Sequence, residues 1–105
     1  MRVVSIEEVS YGEGGDLSVR PSLETGEDMA FIWRAANGVR WDDIQRRLVH
    51  VPDSSAPDPA AWFDRILSAA RGEYGYQLVL TKATRWIGVP TQAREAMDRL
   101  ARANR

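Results

Sequence analysis

Two adjacent carboxylate pairs, Glu7-Glu8 and Asp42-Asp43, and the single histidine, His50, are the side chains whose type and spacing could support acid–base or metal chemistry. Neighbouring residues on a strand point to opposite faces, so one strand does not converge both aspartates. A hairpin could still bring His50 near one of them, which leaves a hydrolase or a His/Asp metal site conceivable. No nucleophile motif, HExxH pattern or EF-hand loop accompanies the cluster, and one histidine is poor support for a transition metal. The expected arrangement is a solvated turn whose aspartates pair with Arg40, Arg46 or Arg47, each exposed pair contributing at most about 1 kcal/mol. Glu7-Glu8 has the composition of a glycosidase pair, but that chemistry needs two carboxyls about 5–10 Å apart in a cleft. An exposed strand edge is the expected setting instead. GEGG at 12–15 is glycine-rich, yet no helix follows it and the Lys-Ser/Thr of a phosphate loop is missing. The sequence therefore assigns no catalytic residue, no metal and no cofactor, and it points away from an enzyme.

Recognition is better represented than catalysis. Trp86, Tyr74 and Arg85 are of the residue types that protein interfaces favour, and Trp86 sits outside any clean periodic element. Residues 1–60 carry 11 acidic and 6 basic side chains, a net of −5, whereas residues 61–105 carry 4 and 8, a net of +4. Such asymmetry can steer a charged partner, with Glu7, Glu8, Asp42 and Asp43 as interface candidates, or it can be neutralised where the halves pack. The C-terminal segment holds Arg94, Arg99, Arg102 and Arg105, but Glu95 and Asp98 sit among them, so a salt-bridged solvated face is expected and nucleic acid binding is not. Thirteen of the fourteen basic residues are Arg, a choice that suits carboxylates and phosphates and that a GC-rich genome also produces.

These residues need elements to position them. Residues 2–11 read as a strand with a bulge near Glu7-Glu8, and 16–20 as a second strand that Pro21 ends or places at an edge. In 29–35, Met29, Phe31, Trp33 and Ala35 alternate, which predicts a strand. Asn37-Gly38 is a hairpin signal. A three-residue loop, Ala36-Asn37-Gly38 with Gly38 left-handed, puts Trp33 opposite Trp41 and gathers the aromatics on one face. A turn at 42–45 leads to a strand over 46–51, and a Pro-rich loop follows at 52–59. Asp58 as N-cap and Pro59 at the first position start a helix over 59–71, with Gly72 just past its end. Its stripe is Trp62, Phe63, Ile66, Leu67 and Ala70. A strand is predicted over 76–81, with 82–90 open between strand and loop. Thr91 caps a last helix to about Asn104, buried along Ala93, Ala96, Met97, Leu100 and Ala101.

The resulting class is α+β: an antiparallel sheet of about five to six strands with two helices packed on one face, in a single domain over 1–105. With 105 residues the chain can hold one core, and its composition is 44% hydrophobic. The absence of cysteine excludes disulfides, thiolate nucleophiles and Cys-zinc sites, and it fits a reducing cytoplasm. MRVVSIEEVS has no apolar core of a secretory signal, and no run approaches the roughly 20 apolar residues of a membrane span. The chain reads as a complete small reading frame.

The meander ending near "VRW", the Pro-containing loop, the amphipathic helix and one further strand resemble small α+β immunity proteins of bacterial polymorphic toxin systems, over roughly residues 29–81. The chain also resembles orphan single-domain proteins of mobile bacterial gene cassettes. Either resemblance implies a binding protein and assigns no functional residue. The leading expectation is thus a non-catalytic protein of immunity or adaptor type that meets a protein partner or a second copy of itself. The alternatives are a small-molecule-binding protein or minor enzyme with a pocket on the sheet face lined by Trp33, Trp41, Asp43 or His50, and nucleic acid binding through the C-terminal helix.

Overall fold

The computed structural model describes residues 1–12, 16–51 and 58–104, so most of the glycine-rich turn, most of the Pro-rich loop and Arg105 lie outside the described residues. Six strands form one sheet: β1 (Arg2–Tyr11), β2 (Leu17–Pro21), β3 (Val39–Asp42), β4 (Arg47–His50), β5 (Tyr76–Val79) and β6 (Arg85–Ile87). The spatial order is β3-β4-β2-β1-β5, and β6 pairs with β1 beyond β5. The pairs β1–β2, β2–β4 and β3–β4 are antiparallel as expected. The pairs β1–β5 and β1–β6 are parallel, so the sheet is mixed. Parallel pairing needs a long crossover, and local patterning carries no sign of it.

β1 is the spine. Its first half, Arg2 to Ser5, pairs with β5, and Glu8 to Ser10 pair with β6 on one side and β2 on the other. The segment left open between strand and loop therefore continues the sheet after an excursion around Lys82. Thr84 closes the gap. Its hydroxyl donates to the Ile6 carbonyl at 2.7 Å and accepts from the Thr81 amide at 2.9 Å. The expected bulge is present: Ile6 partners Pro21 and Glu8 partners Arg20, so two steps on β1 match one on β2. Ile6 and Val9 consequently share the helix-facing side although they are three apart, and Glu8 turns to the opposite face.

The helix-facing side holds Val4, Ile6, Val9, Val19, Leu48 and Leu78, all buried. α1 (Pro59–Ala69) covers them with Trp62, Phe63, Ile66 and Leu67. Asp58 caps α1 by accepting from the Ala61 amide at 3.1 Å, and Pro59 occupies the first turn. The helix does not stop at Gly72. A wider π turn spans Ala70–Tyr74, and the left-handed residue is Gly75 with φ +68°, three positions later. A residue without Cβ takes that conformation at no steric cost, and both glycines offered it. α2 (Thr91–Ala103) buries Met97 and Ala101 and half-buries Ala93, Ala96 and Leu100, the predicted stripe. Thr91 is its first helical residue rather than its cap, a place taken by Pro90 without a side-chain bond.

The largest departure is at 29–35. No strand forms there. Asp28 accepts from the Ala30 amide at 3.0 Å, and a single 3-10 turn covers Ile32–Arg34. The buried residues are Met29, Ile32 and Ala36, a spacing of three and four rather than two. Both periods are present in this short stretch, and burial selected the helical one. The Trp33–Trp41 pairing therefore does not exist. Trp41 is 8% exposed beneath the core side of β3, whereas Trp33 is 61% and Phe31 51% exposed. Gly38 is left-handed as expected, at φ +83°, but it links the 3-10 turn to β3. Its carbonyl accepts the Trp62 indole N–H at 3.2 Å, which satisfies the polar atom of a fully buried ring. The hairpin is β3–β4, at the edge of the sheet. Its turn is closed by Asp42, which accepts from the Ile44 and Gln45 amides at 3.0 and 3.1 Å. β2 lies inside the sheet, with Pro21 as its last residue.

Candidate functional site

The sheet face away from the helices carries an ionic cluster built by the register of four strands. Glu8 on β1 stands beside Arg20 on β2 and Arg85 on β6 as direct ladder partners. Arg47 on β4 reaches in from the far side of β2. All three guanidinium groups converge on one oxygen, Glu8 Oε2, at 4.0 Å from Arg20, 3.8 Å from Arg47 and 3.4 Å from Arg85. The Glu8 side chain is 9% exposed and that of Arg85 66%, so the carboxylate is a floor and Arg85 a movable rim. Ser10 and Ser18 face each other across the ladder with their hydroxyls hydrogen-bonded, and Arg47 Nη1 donates to Ser18 Oγ at 3.2 Å. The Nε atoms of Arg20 and Arg47 are buried and have no hydrogen-bond partner among the described residues. Three cations meet one anion at Glu8, and Asp42, the ladder partner of Arg47, adds a second carboxylate at the edge of the cluster, which leaves it locally positive.

A second surface lies on the helix side. Phe31 and Trp33 project from the 3-10 turn, and the Arg34 guanidinium packs 4.4 Å from the Phe31 ring centre and 5.7 Å from that of Trp33. Buried Met29, Ile32 and Ala36 hold the turn from beneath, and the Phe31 amide donates to the Tyr74 hydroxyl at 2.8 Å. A third feature is an open groove of about 780 Å³ between α2 and the β5–β6 connection, lined by Trp86, Lys82, Arg94 and Glu95 among others. Its charges are largely engaged: Arg94 lies 4.9 Å from the Trp86 ring centre, and Arg102 meets Asp98 at 3.0 Å.

The residues singled out from the sequence scatter over these surfaces. Glu8 and Arg85 come together, but as an ion pair rather than as separate partner contacts. Glu8 is buried and bound by arginines, so its immediate surroundings are positive. Glu7 is exposed next to it at the bulge and belongs to a small pocket with Trp41 and Arg46. The patch of Trp86, Tyr74 and Arg85 does not form. Trp86 pairs with Val9 and faces the helices, Arg85 faces the other way, and Tyr74 stacks on Tyr76 at 5.5 Å beside the Arg2 end of β1. Seven residues of strand separate those two positions, about 23 Å at the usual rise.

The pocket imagined from Trp33, Trp41, Asp43 and His50 has no common floor. Trp33 lies on the outer surface and Trp41 in the core. Asp43 sits in the β3–β4 turn, where it accepts from the Trp41 indole at 3.2 Å and pairs with Arg46 at 3.3 Å. His50 partners Val39 at the other end of that hairpin and meets the Trp62 ring edge-on at 6.3 Å. Asp42 closes the turn through its own carboxylate, as described above. Among the described residues, no three His, Cys, Asp or Glu gather where they could hold a metal ion, and no helix is long and apolar enough to cross a membrane. The Arg20–Arg47–Arg85 convergence was not foreseen. Its one sequence signal was a bulge beside Glu8, which announces that Glu8 leaves the solvent pattern of its neighbours.

Comparison with known proteins gives a family. The sequence profile of the integron cassette protein Hfx_Cass5 matches residues 5–84, from Ser5 within β1 to Thr84, and so includes Glu8, Arg20 and Arg47 but not Arg85. A solved structure from the mobile metagenome of North West Arm Sewage Outfall, the integron cassette protein Hfx_Cass5, is 27% identical, with 97% of this chain and 98% of that chain covered and a TM-score of 0.42. A search of curated proteins found no match.

Proposed function

For a chain that belongs to the integron cassette protein Hfx_Cass5 family, we propose a non-catalytic binding role, of immunity or adaptor type, exercised on a partner protein through Phe31, Trp33 and Arg34. The observation that carries this reading is the pair of exposed aromatic rings stacked with Arg34 on a turn anchored by buried residues. Trp and Arg dominate interface energetics, and a rigid base lowers the ordering cost of binding. An isolated exposed Leu needs no explanation, but two large aromatics sharing one guanidinium make a continuous amphipathic patch. The partner that fits has an apolar surface with an acceptor or carboxylate at its edge for Arg34.

A photo-crosslinking residue at position 33, compared with one at exposed Arg99, tests this in the host cell. One discrete adduct from position 33, heavier by a mass other than that of this chain, is the expected result. No adduct, or the same adducts from both positions, overturns the reading. An adduct of twice the chain mass replaces the partner with self-association.

A further inference from the structure

We infer that Arg20, Arg47 and Arg85, gathered over Glu8 on the open face of the sheet, form a binding site for a phosphate dianion, free or as a simple monoester. The inference is independent of the partner-binding surface, which lies on the helix side.

The first argument is donor balance. Each guanidinium has five N–H donors. The acceptors that the cluster offers them are one Glu8 oxygen and the Ser18 hydroxyl. Charge-assisted N–H···O⁻ bonds run to about 2.7–2.9 Å. The three contacts here are 3.4, 3.8 and 4.0 Å, so Glu8 holds the arginines near one another without saturating them. Arg20 Nε and Arg47 Nε are buried and lack a partner among the described residues. Buried donors without acceptors are costly, which makes this the place where an incoming acceptor gains most.

The second argument is charge. Three arginines outnumber Glu8 together with Asp42, the ladder partner of Arg47 at the edge of the cluster, so the site keeps a positive excess that favours an anion. A planar fork that can bond two oxygens at once favours phosphate oxygens. The third is preorganisation. Arg20 and Arg85 are ladder partners of Glu8 on both sides, so the strand spacing sets their separation. The side chain of Arg47 is 17% exposed and pinned by Ser18, while Arg85, at 66%, is free to swing onto a ligand. Glu8 repels an anion, but it lies below the guanidinium layer and keeps three like charges from separating.

The test is a titration of the full chain followed by amide NMR at about pH 8, above the second pKa of a phosphate monoester, about 6, at fixed ionic strength with chloride as background. Inorganic phosphate and methyl phosphate are expected to move the amides of Glu8, Ser10, Ser18 and Arg85 saturably. Acetate, the monoanion, is expected to bind at least about tenfold more weakly. Arg85→Gln removes an exposed rim residue, spares the fold and is expected to cut phosphate affinity about tenfold. Arg94→Gln, on the helix side, is expected to leave it unchanged. Equal binding of the two phosphates identifies free phosphate as sufficient, and tighter methyl phosphate identifies the ester. No saturable shift, equal response to acetate, or an unchanged affinity in Arg85→Gln overturns the site.

Discussion

Glu8 and Val9 are neighbours in the sequence and both are buried, at 7% and 0% exposure, yet they are buried by opposite means. Val9 faces the helix layer, where Trp62, Phe63, Ile66 and Leu67 exclude water. Glu8 faces the open side, where long arginine side chains close over it and leave polar heads outward. One side is held by area removed from water, which is non-directional and insensitive to charge screening. The other is held by charge, whose value depends on partners, geometry and ionic strength. The comparison shows how one bulged strand can anchor a core and gather an ionic cluster at adjacent positions.

The sharpest way to separate the two faces is to remove the centre of each. Trp62→Ala takes a fully buried ring and the acceptor contact of Gly38 from the helix side, and a loss of about 3–5 kcal/mol is expected in denaturant unfolding. That loss should be the same at low and high salt. Glu8→Gln should cost less, about 1–3 kcal/mol, because water reaches Arg20 and Arg85 and screens them. Its cost should shrink as salt or phosphate is added, since screening relieves three clustered arginines. A salt-independent penalty at Glu8 would place it with Val9 as a packing residue and dissolve the contrast.

A third variant probes the seam between the faces. Thr84→Val keeps the shape but removes the hydroxyl shared by the Ile6 carbonyl and the Thr81 amide. A loss of about 1–3 kcal/mol is expected, with faster hydrogen exchange at Thr81. A neutral result would show that β6 is held by its ladder bonds alone.

The smallest effect is expected at Glu27, a half-buried carboxylate that contrasts with Glu8. The Arg2 guanidinium hydrogen-bonded to it, helped by the Glu24 amide, holds its carboxyl below the ordinary value of 4.5. The folded value lies below the unfolded one, so this pair stabilises above about pH 4.5 and the contribution fades as pH falls through the folded value. Tethering of the 22–28 loop should therefore weaken on acidification. Glu27→Gln should flatten that acid limb and leave stability near neutrality almost unchanged. An unchanged acid limb would assign it to other carboxylates.

How much of this was legible depends on how local each cause is. The α1 start was readable from Asp58-Pro59 and its buried stripe from Trp62 to Ala70, because caps and helical periodicity act within a few residues. The bulge at Glu7-Glu8 was readable as a break in alternation, and the turn after Trp41 as Asp42-Asp43. At 29–35 two periods competed. Met29, Phe31 and Trp33 fitted a strand, while Met29, Ile32 and Ala36 fitted a helical turn, and seven residues could not decide between them. Reading the strand there created a pocket that does not exist and hid the exposed aromatic pair.

Sequence alone settled the α+β class and the two helices with their buried faces. Those properties follow from local propensity, capping and periodicity, which each segment carries with it. Tertiary structure alone decided that β5 and β6 run parallel to β1, that residues 29–35 turn instead of extending, and that Arg20, Arg47 and Arg85 meet over Glu8. Each of these depends on pairing between segments up to 77 positions apart, and the free energy of such pairing resides in contacts that no single segment contains.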